Sequence, residues 1–123
     1  MPPIRNAGAL RERLHFQKRL DGDDGWGNPV SGAGEWVTQF TAYAGLRPLR
    51  GSEAVMADRL DGLQPYVVTI RHQRAALDVT SSWRLVDARN PNRTFAIKSP
   101  LADPDGKNQW LEFLASVGMA DAD

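Results

Sequence analysis

Residues 36–46 and 66–71 alternate between two sets of side chains with a period of two, which is the repeat of a β-strand. One face of the first segment carries Trp36, Thr38, Phe40, Ala42, Ala44 and Leu46. One face of the second segment carries Tyr66, Val68 and Ile70. Both segments are rich in the aromatic and β-branched residues that pleated, half-buried surfaces favour. The pattern therefore predicts a strand in each segment.

Four further stretches carry shorter patterns. Residues 83–87 and 94–98 alternate on either side of an Asn/Pro turn at 89–93, which predicts a β-hairpin. Residues 10–20 and 108–117 match both the apolar spacing of a helix and the alternation of a strand. Periodicity alone leaves the structure of these last two segments open.

The connections between these segments differ in character. Residues 21–34 contain five glycines and a proline, which predicts a loop or a broad hairpin connection without a regular element. Ser52 can cap a helix that carries Glu53 in its first turn. The apolar residues that follow, spaced by four and three, are Met56, Leu60 and Leu63. This spacing predicts a short helix, closed by Gly62 and Pro65.

Strands at short intervals, separated by Gly, Pro, Asn and Asp, predict an all-β fold. We expect a small β-barrel or sandwich of about six strands, with one short helix or long loop between the second and third strands. The expected organisation is a flexible N-terminal arm over residues 1–9, a single domain over 10–117 and an acidic C-terminal tail over 118–123.

The composition narrows the class of protein. The chain has 123 residues, which fits one domain, and its fifteen basic and fifteen acidic residues cancel. It has no cysteine, so disulfides and thiolate chemistry are excluded. No apolar run approaches the length of a membrane span, and the N-terminus lacks the apolar core of a signal peptide. We therefore expect synthesis in the cytoplasm and no membrane partner.

Residues that carry catalytic or metal chemistry are few. His15 and His72 have no ligand spacing around them, and we expect ordinary half-exposed side chains. The run Asp21, Asp23 and Asp24 lacks the further ligands of a calcium loop. No serine lies in a nucleophile elbow, and no glycine-rich phosphate loop is present. We expect no enzyme, no metal and no cofactor.

A small β-barrel that binds nucleic acid is an alternative, because such barrels stack bases on aromatic residues in a basic groove. The zero net charge argues against tight sequence-independent binding.

Twelve of the fifteen basic residues are arginine, which suits interfaces between subunits but also follows from a GC-rich genome.

Residues 45–53 form the most distinctive charged segment. Pro48 follows a predicted strand, and Arg47, Arg50 and Glu53 surround the turn. At a subunit boundary these groups can form charge-assisted bonds that set the register between neighbours. The alternative is a solvated turn whose exposed pairs contribute about 0–1 kcal/mol each.

The order of several segments resembles the phage head–tail joining, or head-completion, proteins of siphovirus-type phages and prophages. The resemblance covers roughly residues 10–117, and order and spacing carry it rather than any one motif. The matching segments are Leu14-His15-Phe16-Gln17, Gly25-Trp26-Gly27-Asn28-Pro29-Val30, Trp36, Ala44 to Glu53, and Tyr66 to Arg71.

The resemblance implies a structural component of the phage neck, located in the virion at the head–tail junction and made in the host bacterial cytoplasm. It implies a ring of copies that joins the portal-side connector to the tail and lines or closes the DNA channel. The implied protein partners are a portal or adaptor protein and a tail terminator or tail-completion protein. Double-stranded DNA is implied to pass through the ring without recognition of its sequence. A different neck or tail-tube protein of the same virion is the alternative.

The resemblance also points to interface residues. It places the connection over residues 49–65 near the channel lumen or the neighbouring subunit. The expected subunit or partner contacts are Arg47, Arg50, Glu53, Asp58 and Arg59. The loop over residues 21–34 is expected to dock on an adjacent ring through Trp26 and Asn28.

Overall fold

The computed structural model of the protein describes residues 7–49 and 62–118. The strands within these ranges are β1 (Glu12–Arg19), β2 (Gly22–Asp23), β3 (Pro29–Val30), β4 (Trp36–Pro48), β5 (Leu63–Arg71), β6 (Arg84–Asp87), β7 (Thr94–Ile97) and β8 (Trp110–Gly118). Short 3-10 segments occur at Ala7–Ala9 and Arg74–Asp78. The helix predicted from Ser52 lies outside the described residues up to position 61, as do positions 1–6 of the arm and 119–123 of the tail.

Six of the strands close into an antiparallel barrel in the order β1-β4-β5-β8-β7-β6, and β6 pairs with β1. The remaining strands, β2 and β3, form a separate two-stranded ribbon. Closure gives each of the six strands a hydrogen-bonded neighbour on both sides, which removes the open edges through which sheets aggregate. The all-β prediction is confirmed.

The barrel interior is filled by alternate residues of all six strands. The most completely buried apolar side chains are Leu14, Phe16, Ala44, Val68, Ile70, Leu85, Phe95 and Ala115. Phe16 lies at the centre: its ring stacks on Phe40 at 4.4 Å between centroids and meets Phe113 edge-on at 6.1 Å. These contacts hold β1, β4 and β8 together across the interior.

Both segments that periodicity left open are strands. Residues 10–20 contain β1, which pairs with β4 and β6, and residues 108–117 contain most of β8, which pairs with β5 and β7. Each strand needs two partners that are distant in sequence, so a local pattern does not reveal the outcome. The hairpin predicted around residues 89–93 is confirmed by the pairing of β6 with β7.

Of the two residues predicted to close the segment over 52–65, Gly62 lies in a turn, whereas Pro65 lies within a strand. Gly62 has a φ of +82°, which suits the turn expected there. Pro65, however, does not close the segment, because β5 begins at Leu63 and Pro65 pairs with Ser116 of β8. Proline is tolerated here because the pairing of β5 with β4 begins only at the next residue, so the missing N–H is not needed.

The first half of β4 departs from the predicted single face. The register with β1 shifts between Phe16, which faces Phe40, and Gln17, which faces Thr38. Thr38 is exposed and accepts a hydrogen bond from Gln17 at 3.1 Å. The prediction that Trp36 and Thr38 share the face of Phe40 is therefore wrong, because the extra residue in β4 acts as a β-bulge and turns this end outward.

Candidate docking surface

The glycine-rich connection after β1 contains a regular element, contrary to prediction. Gly22 of β2 pairs with Val30 of β3, and Asp23 pairs with Pro29. At the base of the ribbon, Leu20 exchanges backbone hydrogen bonds with the chain before β4: its N–H donates to the Glu35 carbonyl at 2.8 Å. The glycines permit the turns, and these backbone bonds organise the segment as a projecting ribbon.

Aspartate side chains hold the turn at the tip of the ribbon. The Asp24 carboxylate accepts hydrogen bonds from the backbone N–H of Trp26 at 2.7 Å and from the side-chain amide of Asn28 at 3.0 Å. The Asp23 carboxylate accepts one from the Gly25 N–H at 2.8 Å. Gly25 and Gly27 have φ of +84° and +85°, where a side chain would introduce strain. The flanking residues thus fix the backbone of Trp26.

Trp26 is presented to solvent by this turn. Its side chain is 87% exposed, the highest value among the large apolar residues described, and Leu20 and Val30 of the same ribbon are also exposed. A backbone arranged in advance reduces the entropy lost on binding, and tryptophan is enriched among residues that dominate interface energies. The tip therefore has the properties of a docking element.

The ribbon turn is expected to remain ordered below the ordinary pKa of an aspartate. The Asn28 side chain, followed by the Trp26 N–H, lowers the pKa of Asp24. Because the pKa of Asp24 is lower in the folded than in the unfolded chain, its carboxylate stabilises the turn fully at pH values above the unfolded-state pKa. This stabilisation is lost as the pH falls through the folded-state pKa. The amide and indole resonances of Trp26, followed by NMR against pH, report this transition.

Replacement of Asp24 by alanine removes this titration and is the matched control. We expect the Trp26 resonances of the Asp24→Ala protein to show disorder at neutral pH, without loss of the barrel signals. If the Trp26 resonances of the unsubstituted protein change with a midpoint at or above the ordinary pKa of aspartate, Asp24 is not the group that holds the turn.

The β-bulge turns the first residues of β4 to the outside of the barrel, and this brings two arginine side chains to the ring of Trp36 beside the ribbon. The guanidinium carbons of Arg84 and Arg19 lie 4.5 and 5.8 Å from the centroid of the Trp36 ring. The Arg84 Nε donates to the side-chain Oε1 of Gln17 at 2.8 Å, and the Arg19 Nε donates to the backbone carbonyl of Gly34 at 2.9 Å. Burial, followed by the charge of Arg19, lowers the pKa of Arg84. Sequence reasoning missed this Arg–Trp platform, which we define as Arg19, Trp36 and Arg84.

Among the predicted contact residues near the long connection, only Arg47 lies within the described ranges. It is exposed near the end of β4 and lines a groove of about 310 Å³ with Val67, Pro100 and Leu114. The other four residues, Arg50, Glu53, Asp58 and Arg59, lie outside the described residues.

The histidines take ordinary structural positions. The His15 Nδ1 lies 2.7 Å from the Thr41 hydroxyl on the neighbouring strand, and His72 is half-buried. Residues 7–49 and 62–118 bring together no group of three histidine, aspartate or glutamate side chains that can hold a metal ion. In the same ranges no helix has the length and apolar character needed to cross a membrane.

Comparisons with known proteins add a family and a fold. A family model described as phage head completion protein matches residues 5–118. A chain in the virion of a native gene transfer agent particle is similar, with a TM-score of 0.59, 20% identity, and coverage of 89% of this chain and 94% of that one. The solution structure of a protein from Shigella flexneri 2a has a TM-score of 0.61, 21% identity, and coverage of 95% and 99%.

No curated protein matches the chain significantly. At 20% and 21% identity, the two solved structures establish a likeness of fold alone.

Proposed function

The chain belongs to the phage head completion protein family, and on this premise we propose that it forms a ring in the phage neck that joins the portal-side connector to the tail and lines or closes the DNA channel. Family membership makes the chain a structural protein of the phage head, located in the virion, and implies a non-enzymatic role that involves other head or tail proteins of the particle. The ring, the channel and the individual partners belong to the proposal.

The observation that carries the proposal is the exposed Trp26, whose backbone N–H is held by Asp24, on a closed barrel. A barrel with six mutually paired strands offers no edge for uncontrolled strand addition. Association then depends on elements that project from it, and the ribbon is such an element. An exposed tryptophan on an ordered turn is suited to a specific contact with a neighbouring protein.

The fold likeness to a chain of a gene transfer agent virion supports an architectural role for this barrel. The balanced charge supports passage of DNA, because a strongly basic wall would retain phosphate and slow its movement. In this proposal DNA passes without sequence recognition, and the chain carries out no reaction.

The proposed partners occupy the two sides of the ring and its interior. Copies of the chain contact one another, a portal or adaptor protein binds on the head side, and a tail terminator or tail-completion protein binds on the tail side. We propose Trp26 and Asn28 as docking residues on the ribbon. The proposed subunit contacts near the long connection are Arg47, Arg50, Glu53, Asp58 and Arg59.

Loss of the chain from the phage or prophage that encodes it tests the proposal. We expect full-sized heads that remain tailless or lose their DNA, since nothing then joins or closes the neck. Electron microscopy of the particles and measurement of packaged DNA are the readouts, and expression of the intact chain in trans is the control. Tailed infectious particles at normal titre without the chain would refute the neck role.

A further inference from the structure

We propose that the Arg–Trp platform is a binding site for a carboxylate, and that an acidic segment of a neighbouring virion protein occupies it. The location of the partner in the virion rests on the proposed function. The carboxylate chemistry rests on the geometry of Arg19, Trp36 and Arg84 alone.

The two guanidinium groups are arranged in advance. Both approach the Trp36 ring, and each Nε is already engaged, Arg84 with the Gln17 side chain and Arg19 with the Gly34 carbonyl. The Nη groups of both side chains are the donors that remain for a ligand. Because planar guanidinium groups match carboxylate oxygens in a bidentate manner, little ordering is left to be done on binding.

The charges of the platform lack a counter-ion within the described part of the chain. The ion pairs found there join Arg93 to Glu12 and to Asp87, and neither includes Arg19 or Arg84. Two like charges beside one ring repel each other, and burial, followed by the charge of Arg19, lowers the pKa of Arg84. A bound anion relieves this repulsion and gives the half-buried Arg84 a charged partner.

The surroundings favour a protein carboxylate over a DNA phosphate. Beside Trp36 lies a cavity of about 450 Å³, lined also by Lys18, Arg19 and Asp21. Arg84 lines a neighbouring cavity of about 220 Å³, which shares Trp36 and Ser82 with the first. Three cations around one indole ring, with an acidic residue beside them, neutralise few phosphates, whereas retention of DNA at cellular salt needs many such contacts. Tryptophan and arginine are the residue types that dominate interfaces between proteins.

A titration of the isotope-labelled full chain with a hexaglutamate peptide, at about 0.15 M ionic strength, tests the site by NMR. We expect saturable shifts of the Trp36 indole N–H and of the Arg19 and Arg84 Nε–H signals. Arg84→Gln and Arg19→Gln should each weaken binding about fivefold or more, and Arg84→Lys should also weaken it because an ammonium lacks the planar fork. Arg74→Gln, on the exposed 3-10 segment, should change the affinity by less than about twofold.

Several results would overturn the proposal. Platform signals that do not move, or an equal weakening by Arg74→Gln, would show that the peptide responds to general charge. Saturation of the same signals by a short DNA duplex at a lower concentration than the peptide would assign the platform to phosphate. Native-like spectra of the Arg19→Gln protein guard against unfolding as the cause, because Arg19 is exposed.

Failure of this proposal is separable from failure of the neck role. The peptide experiment uses the isolated chain and does not depend on a ring or a portal. Particles that assemble normally without the chain would refute the neck role but would not change the result of the peptide titration. Absence of peptide binding would refute the carboxylate site but would not change the phenotype of the particles.

Discussion

Trp26→Ala is expected to reduce incorporation of the chain into particles strongly while leaving the barrel folded. The side chain is 87% exposed, so its removal should change the free energy of unfolding by less than about 0.5 kcal/mol. Truncation of a tryptophan at the centre of an interface costs about 2 kcal/mol or more, which is a loss of affinity of roughly 30-fold. Complementation of the null phage, quantification of the chain in purified particles and urea unfolding together measure both effects.

Tyr43→Ala is the matched control for this experiment. Tyr43 is another aromatic residue with a largely exposed side chain, at 56%, but it lies on the barrel strand β4 rather than on the ribbon. We expect the Tyr43→Ala chain to be incorporated at nearly the normal level. Normal titre with Trp26→Ala, or equal loss with both variants, would remove the ribbon tip from the docking surface.

Phe16→Ala is expected to have the largest effect on stability. Phe16 is fully buried, stacks on Phe40 and contacts Phe113 edge-on, so its replacement leaves a cavity in the middle of the barrel. Such replacements cost about 3–5 kcal/mol, a large share of the roughly 5–15 kcal/mol that stabilises a domain. Urea or thermal unfolding monitored by circular dichroism should show a Tm lower by roughly 10 °C or more.

Leu77→Ala provides the comparison for this loss. Leu77 is 61% exposed on the 3-10 segment Arg74–Asp78, and we expect its truncation to change the free energy of unfolding by less than about 0.5 kcal/mol. A cost for Phe16→Ala no greater than that for Leu77→Ala would mean that the centre of the barrel is not packed around Phe16.

The sequence was sufficient for strands with a complete local signal. Alternation over residues 66–71 marks the buried Val68 and Ile70, and the hairpin around residues 89–93 is marked by its turn residues. A strand that packs one face inward carries an apolar residue at every second position, so burial of that face can be predicted from the sequence. The same reasoning failed at Pro65, where the side on which the neighbouring strand pairs decides whether proline is tolerated.

The two parts of the candidate docking surface differ in how far they were predictable. The sequence indicated Trp26 and Asn28 as docking residues, which stays a prediction, and the structure added that Asp24 holds both of them from within four positions. The platform combines β1, β4 and β6, and it exists only because the register shift turns Trp36 outward. A one-residue bulge leaves the alternating pattern unchanged while it reverses the face of every residue on one side of it.

The sequence by itself determined the all-β class, the strands with clear alternation and the head completion family, because each depends on local spacing or on segment order. Only the tertiary structure decided that residues 10–20 and 108–117 are strands and that the sheet closes. It also brought Arg19 and Arg84 to one indole ring. These features depend on pairing between residues far apart in the chain, and pairing energy is gained only when both partners are in place.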